Sequence, residues 1–122
     1  MKMTNRVLPH FGAACRCSAA GLVSTFKREA AFRQEIALAV PHFSVLYLVG
    51  FPVWAWVVLT ALLGLVVVTE LLNTAIECVV DLVSPDYHEL AKLAKDAASA
   101  AVSICLIVYF VSWGAVAMER FL

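Results

Sequence analysis

Five polar side chains, Glu70, Asn73, Thr74, Glu77 and Asp81, stand at offsets of three, four, seven and eleven from the first. At 3.6 residues per helical turn all five project from one face, so the spacing predicts a polar stripe along a helix. Rising about 1.5 Å per residue, the stripe stacks Glu70 and Glu77 within a column about 10 Å long, with Asp81 a turn beyond. Like charges that close repel. Either one carboxyl keeps its proton or a divalent cation shares the face. Mg²⁺ is the natural candidate, because it prefers oxygen ligands, takes only one or two carboxylates and fills its other positions with water and phosphate oxygens. A second acidic group, Glu29 and Glu35 with Arg33 between them, occupies two turns and could reach the same metal from a neighbouring helix. His88, Lys92 and Lys95 supply the opposite charge, suited to phosphates, and Asp96 and Ser99 extend the polar face beyond them. These are the residue types that phosphoryl transfer needs.

Plainer readings exist for each. An acid inside a transmembrane helix also suits a proton-coupled transporter. The segment from Asp86 to Asp96 reads in isolation as a solvated helix, and Asn73 as a polar tie between helices. The five glycines form no GxxxxGK[ST] or GxGxxG loop, which excludes an ordinary soluble nucleotide-binding fold. Cys15 and Cys17 are two apart while Cys78 and Cys105 stand alone, so the cysteines suggest neither a metal site nor a disulfide framework.

The elements that must position these groups follow from hydropathy. With 63% hydrophobic and 15% charged residues in a chain of 122, the expected solvent is a lipid bilayer. The polar N-terminus precedes no short apolar core with a small-residue cleavage site, so the first apolar stretch is expected to stay in the protein. No charged residue occurs from Ile36 to Thr69 or from Ala97 to Met118. About 20 apolar residues cross the hydrocarbon layer, which the second stretch does in one run. The first would be about 50 Å long as one helix, and so must fold back. Gly50-Phe51-Pro52 marks the turn: glycine permits it and proline opens the next helix. Tyr47, Trp54 and Trp56 flank it, as aromatic residues do at a bilayer interface. The second arm continues to Ser84-Pro85, giving three expected spans, about 30–49, 53–83 and 95–119. Glu70 then falls about 25 Å from the outer end of its span, at the inner membrane boundary.

Basic residues favour the cytoplasmic side. Lys2, Arg6, Arg16, Lys27 and Arg28 lie in residues 1–28 without a single acid, Lys92 and Lys95 lie in the second loop, and the hairpin has none. The N-terminus and second loop are therefore expected inside and the C-terminus outside, with Arg120 the lone exception. Leu8, Phe11, Cys15, Leu22 and Phe26 recur at helical spacing, which predicts an amphipathic helix over 1–28 lying on the anionic leaflet. Residues 29–122 form the transmembrane unit.

EAAFRQE at Glu29–Glu35, ELLNTAIECVVDLV at Glu70–Val83 and YHELAKLAKDAASAAV at Tyr87–Val102 resemble the signature of the prokaryotic diacylglycerol kinases. Three blocks in the right order are far more specific than one short motif. The resemblance implies an all-α membrane protein: a homotrimeric helical bundle, each subunit with a surface helix and three transmembrane helices, in the bacterial cytoplasmic membrane. It implies transfer of the γ-phosphate of ATP to diacylglycerol, giving phosphatidic acid at sites between subunits.

By matching position, it makes Glu70 the general base and gives Mg²⁺ on the ATP phosphates to Glu29 and Glu77. Asp86, Tyr87, His88, Lys95 and Asp96 would join those two in contacting nucleotide. Ala31, Phe32, Arg33, Gln34 and Glu35, with Asn73 and Ser99, would hold the lipid beside Glu70. The segment before Lys27 departs from the pattern, with His10, Cys17 and Ala20 where relatives carry larger polar or basic residues, so its contacts stay outside the expected site. Undecaprenol kinase is a sister activity with the same fold and the Glu70, Asn73, Glu77 pattern. EAAFRQE favours diacylglycerol.

Overall fold

The computed structural model describes residues 4–122, with side chains from His10 onward. Lys2, and the side chains of Arg6 and Leu8, lie outside the described residues. Among the described residues five helices follow in order, and no strand: α1 (Thr4–Arg28), α2 (Ala30–Ala37), α3 (Ala39–Val49), α4 (Val53–Val83) and α5 (Glu89–Phe121).

α1 packs on α2 and α4 and leaves Phe11, Leu22, Val23 and Phe26 exposed. It ends where Glu29 adopts an extended conformation, φ −109° and ψ 113°. The last carbonyls of a helix have no partner within it. Here Arg33 supplies one, its Nη1 donating to Phe26 O at 2.7 Å and Lys27 O at 3.1 Å, with its positive charge at the negative end of the helix dipole.

The arm expected from about Ala30 to Val49 consists of two helical segments, α2 and α3, meeting at Leu38. Pro41 is the cause. It has no N–H to donate to the carbonyl of Ala37, so one rung of the ladder is missing. The axis still runs on, because Leu38 keeps helical angles, donates to Gln34 O at 3.0 Å and accepts from His42 N at 3.1 Å.

α3 stops at Gly50 in the left-handed region, φ 77° and ψ 47°, and Phe51 N reaches back to Leu46 O at 3.2 Å. Pro52 then caps α4. α4, of 31 residues, and α5, of 33, are the two helices long and apolar enough to cross a membrane; α2 and α3 are shorter pieces of 8 and 11 residues. α5 starts at His88, whose Nδ1 accepts from Leu90 N at 3.1 Å, and so opens with a side-chain cap.

The main packing is α4 on α5, with α3 laid against both through Leu46, Leu59, Val116 and, farther along, Leu63, Val66 and Tyr109. The buried face of α4 is Ala55, Leu59, Leu63, Val66 and Glu70, at steps of three or four, with Asn73 and Thr74 three and four residues beyond Glu70, hence a single stripe. Its N-terminal half is apolar and its C-terminal half polar. Meanwhile Val57, Leu65, Leu72, Ile107 and Phe110 point outward and are exposed. Large apolar side chains outside and carboxylates inside is an arrangement made for lipid.

Gly50 meets nothing within 4 Å where a Cβ would stand, so only its positive φ calls for glycine. Gly50→Ala is expected to cost about 1 kcal/mol through the left-handed backbone, and Gly50→Asn less, since Asn tolerates that region. Thermal unfolding of the detergent-solubilised protein measures both.

Candidate active site

A cleft of about 480 Å³ opens between α2, α4 and α5. The junction before α2 contributes Glu29, and α2 itself contributes Ala31, Gln34 and Glu35. Glu70, Asn73 and Glu77 line it from α4, and Ser99 and Ser103 from α5; Leu38, Val102 and Leu106 make its apolar portion. The helical period explains the α4 contribution, since Glu70, Asn73 and Glu77 lie three and four residues apart on the inward stripe.

These polar groups are withdrawn from solvent. Glu70 is 4% exposed, Glu35 7% and Asn73 9%. Asn73 Nδ2 donates to Glu77 Oε1 over a long 3.5 Å, while Asn73 Oδ1, Glu35 Oε2 and Thr74 Oγ1 are buried without a partner. Glu29 and Glu77 are close enough for their charges to act on that of Glu70, and the Glu35 carboxyl lies within hydrogen-bond reach of it. Buried acceptors without donors, facing several carboxylates, describe a site that wants protons or cations brought to it.

Glu29 and Glu77 face one cleft from two elements, and their donor chemistry fits Mg²⁺, which needs no more than one or two carboxylates from a protein. Among the described residues no group of three or more His, Cys, Asp or Glu side chains forms a dedicated metal cage. The four cysteines are free and line none of this cleft.

A second cleft of about 370 Å³ begins one turn farther along α4. Asp81, the loop of Ser84, Pro85, Asp86, Tyr87 and His88, and then Lys92, Lys95 and Asp96 line it. Its cations are paired: Lys92 Nζ lies 2.6 Å from Asp96 Oδ2, and Lys95 pairs with Asp81. Exposed pairs of this kind hold side chains weakly and exchange partners readily. The Lys95 charge also acts on Glu77, which joins the two clefts electrostatically.

The sequence-derived residues thus fall into two adjoining groups. Glu29, Ala31, Gln34, Glu35, Glu70, Asn73, Glu77 and Ser99 share the first cleft; Asp86, Tyr87, His88, Lys95 and Asp96 share the second. Phe32 and Arg33 line neither. Phe32 is packed inward at 2% exposure, and Arg33 caps α1. Asp81, on the predicted five-residue stripe, faces outward to Lys95 instead of joining Glu70.

Sequence reading overlooked His42. Its imidazole is 3% exposed and touches Thr60, Tyr109 and Trp113, tying α3 to α4 and α5. The signal was present: an ionisable residue in the middle of an apolar span is unusual enough to single out.

The family model described as prokaryotic diacylglycerol kinase matches residues 16–117. The diacylglycerol kinase of Haemophilus influenzae is 37% identical over 109 residues, 89% of this chain and 92% of its own length. That of Pseudomonas aeruginosa is 40% identical over 99 residues, 81% and 80% of the two chains. The undecaprenol kinase of Bacillus subtilis is 38% identical over 88 residues, 72% of each. A membrane bundle with acids on its inward face, matched over this length, decides between enzyme and transporter: the chain is a lipid kinase and belongs to the prokaryotic diacylglycerol kinase family.

Proposed function

We propose that the protein transfers the γ-phosphate of ATP to the hydroxyl of diacylglycerol, giving phosphatidic acid at the cytoplasmic face of the bacterial inner membrane. The observation that carries this reading is the common cleft of Glu29, Glu70, Asn73 and Glu77, closed on one side by Leu38, Val102 and Leu106. A polar head and a hydrocarbon body need such a divided surface.

In this reading Glu70 accepts the proton of the lipid hydroxyl, whose oxygen bonds to the γ-phosphorus as the bond to the bridging oxygen breaks and ADP leaves. Asn73, Gln34, Glu35 and Ser99 orient the glycerol, with Ala31 beside them and Phe32 and Arg33 supporting the segment from behind. Glu29 and Glu77 would hold Mg²⁺, which when bound neutralises charge on the phosphate oxygens. Tyr87, His88 and Lys95 contact the nucleotide, and Asp86 and Asp96 flank it. Lys95 exchanges Asp81 for phosphate.

α2 and α3 together form the first of three crossings, 20 residues at about 1.5 Å each and so about 30 Å, the thickness of the hydrocarbon layer. α1 lies on the cytoplasmic leaflet with the second loop on the same side, and three subunits assemble. The 38% identity to an undecaprenol kinase favours a second reading, the same chemistry on a polyprenol.

Purified protein given Mg-ATP with diacylglycerol or undecaprenol should phosphorylate diacylglycerol faster; a reversed preference moves the assignment to the polyprenol. Glu70→Gln should remove about 10²- to 10⁴-fold of the rate, the worth of a general base, while the protein stays folded. Wild-type turnover in that variant would take the base away from Glu70. Glu77→Gln should raise the Mg²⁺ concentration needed for half-maximal rate, since one anionic ligand is lost; titrating Mg²⁺ at fixed ATP measures it, and an unchanged curve separates Glu77 from the metal.

A further inference from the structure

Outward from the carboxylates, one imidazole holds three helices together. His42 Nδ1 on α3 lies 2.7 Å from Tyr109 Oη and 3.3 Å from Trp113 Nε1, both on α5, and its Nε2 lies 3.1 Å from Thr60 Oγ1 on α4. An indole N–H can only donate, so Nδ1 is the acceptor. The ring proton therefore sits on Nε2 and is donated to Thr60. Both nitrogens are satisfied in the neutral form. The ring also stacks on Tyr109 at 5.7 Å between centroids and stands edge-on to Trp113 at 5.5 Å. No water is at hand inside a bilayer to replace a lost hydrogen bond, which makes such a cluster costly to separate.

Its place in the fold gives the cluster a consequence for the cleft. Leu38, one turn before His42, lines the carboxylate cleft and also a shallow apolar groove running past His42, Tyr109 and Trp113. Leu106, one turn before Tyr109, lines the cleft from α5 and packs on the buried Leu63, Val66 and Tyr109 cluster. Beside the Leu38–His42 pair the helix lacks the Ala37–Pro41 rung, which proline cannot make. The backbone at that point is weakened, and side-chain bonds from α4 and α5 supply what it lacks.

We propose that His42 is a positioning residue for the lipid substrate: by bonding α3 to α4 and α5 together, it fixes Leu38 against Leu106, the apolar lips of the cleft. This rests on the lipid-kinase reading of that cleft given above. The cluster touches none of the residues assigned to nucleotide, so its effect falls on the lipid side alone.

Steady-state kinetics in mixed micelles, varying diacylglycerol and Mg-ATP separately, test it in His42→Ala, His42→Gln, Tyr109→Phe and Trp113→Phe. Misplaced apolar lips should raise the KM for diacylglycerol about tenfold in His42→Ala, a modest share of what a 1 Å misplacement can cost, and leave the KM for Mg-ATP unchanged. His42→Gln keeps a donor and an acceptor and should recover most of the loss; Tyr109→Phe and Trp113→Phe, each removing one donor, should shift the same constant by less. Equal rises in both KM values, or lower thermal stability with both KM values unchanged, overturn the proposal. Should His42→Ala fail to fold, unchanged diacylglycerol KM in both Tyr109→Phe and Trp113→Phe overturns it equally. A wild-type protein inactive on every lipid alcohol overturns the function itself, before any substitution is made.

Discussion

A carboxyl group held out of water on the inward face of α4 governs the arrangement around it. Glu70 continues the stripe that begins with Ala55, Leu59, Leu63 and Val66, so the packing that buries those residues also buries the acid. An isolated charge in such a place is expensive, and the neighbouring carboxylates of Glu29 and Glu77 add repulsion to the loss of hydration. The arrangement makes sense only if something positive or protic completes it. In the reaction proposed above, a metal-bound nucleotide and a lipid hydroxyl would bring both to the groups that the bundle leaves without partners.

The same helix also solves the meeting of two immiscible reactants. Along α4 the inward face passes from apolar residues to Glu70 and Asn73, then to Glu77, and finally to Asp81, which faces outward to Lys95. α5 runs the gradient in reverse, from Lys92 and Lys95 through Ser99 to Val102 and Leu106. Packed antiparallel, the two helices match polar to polar and apolar to apolar at each level. The cleft falls at the crossover, where the reading proposed above seats a headgroup beside a phosphate.

Much of this was legible in the chain. Glu70, Asn73 and Glu77 stood out because acids are scarce in an apolar helix and their spacing matches its turn; Gly50-Phe51-Pro52 stood out because no bilayer is thick enough for the run it interrupts. Asp81 shows where periodicity stops informing: it shares the spacing, but a lysine 14 residues away captures it. Pro41 was hidden inside a uniformly apolar run, where hydropathy cannot register a missing N–H. His42 was hidden for a different reason. Its partners lie 18, 67 and 71 positions away, and only the register of three packed helices brings them together. Arg33 likewise read as a charge beside two acids, whereas its guanidinium is occupied with the end of α1.

The two sides of the cleft are built with unequal stiffness. α5 runs for 33 residues from its His88 cap to Phe121 as a single uninterrupted rod, and α4 runs nearly as long. The facing side is pieced together from short lengths, with an extended residue at Glu29 and a missing rung near Leu38. Two rods and one articulated strut make an asymmetric clamp. A force that widened it would bend the jointed member first and leave the rods that carry Glu70 and Lys95 in alignment.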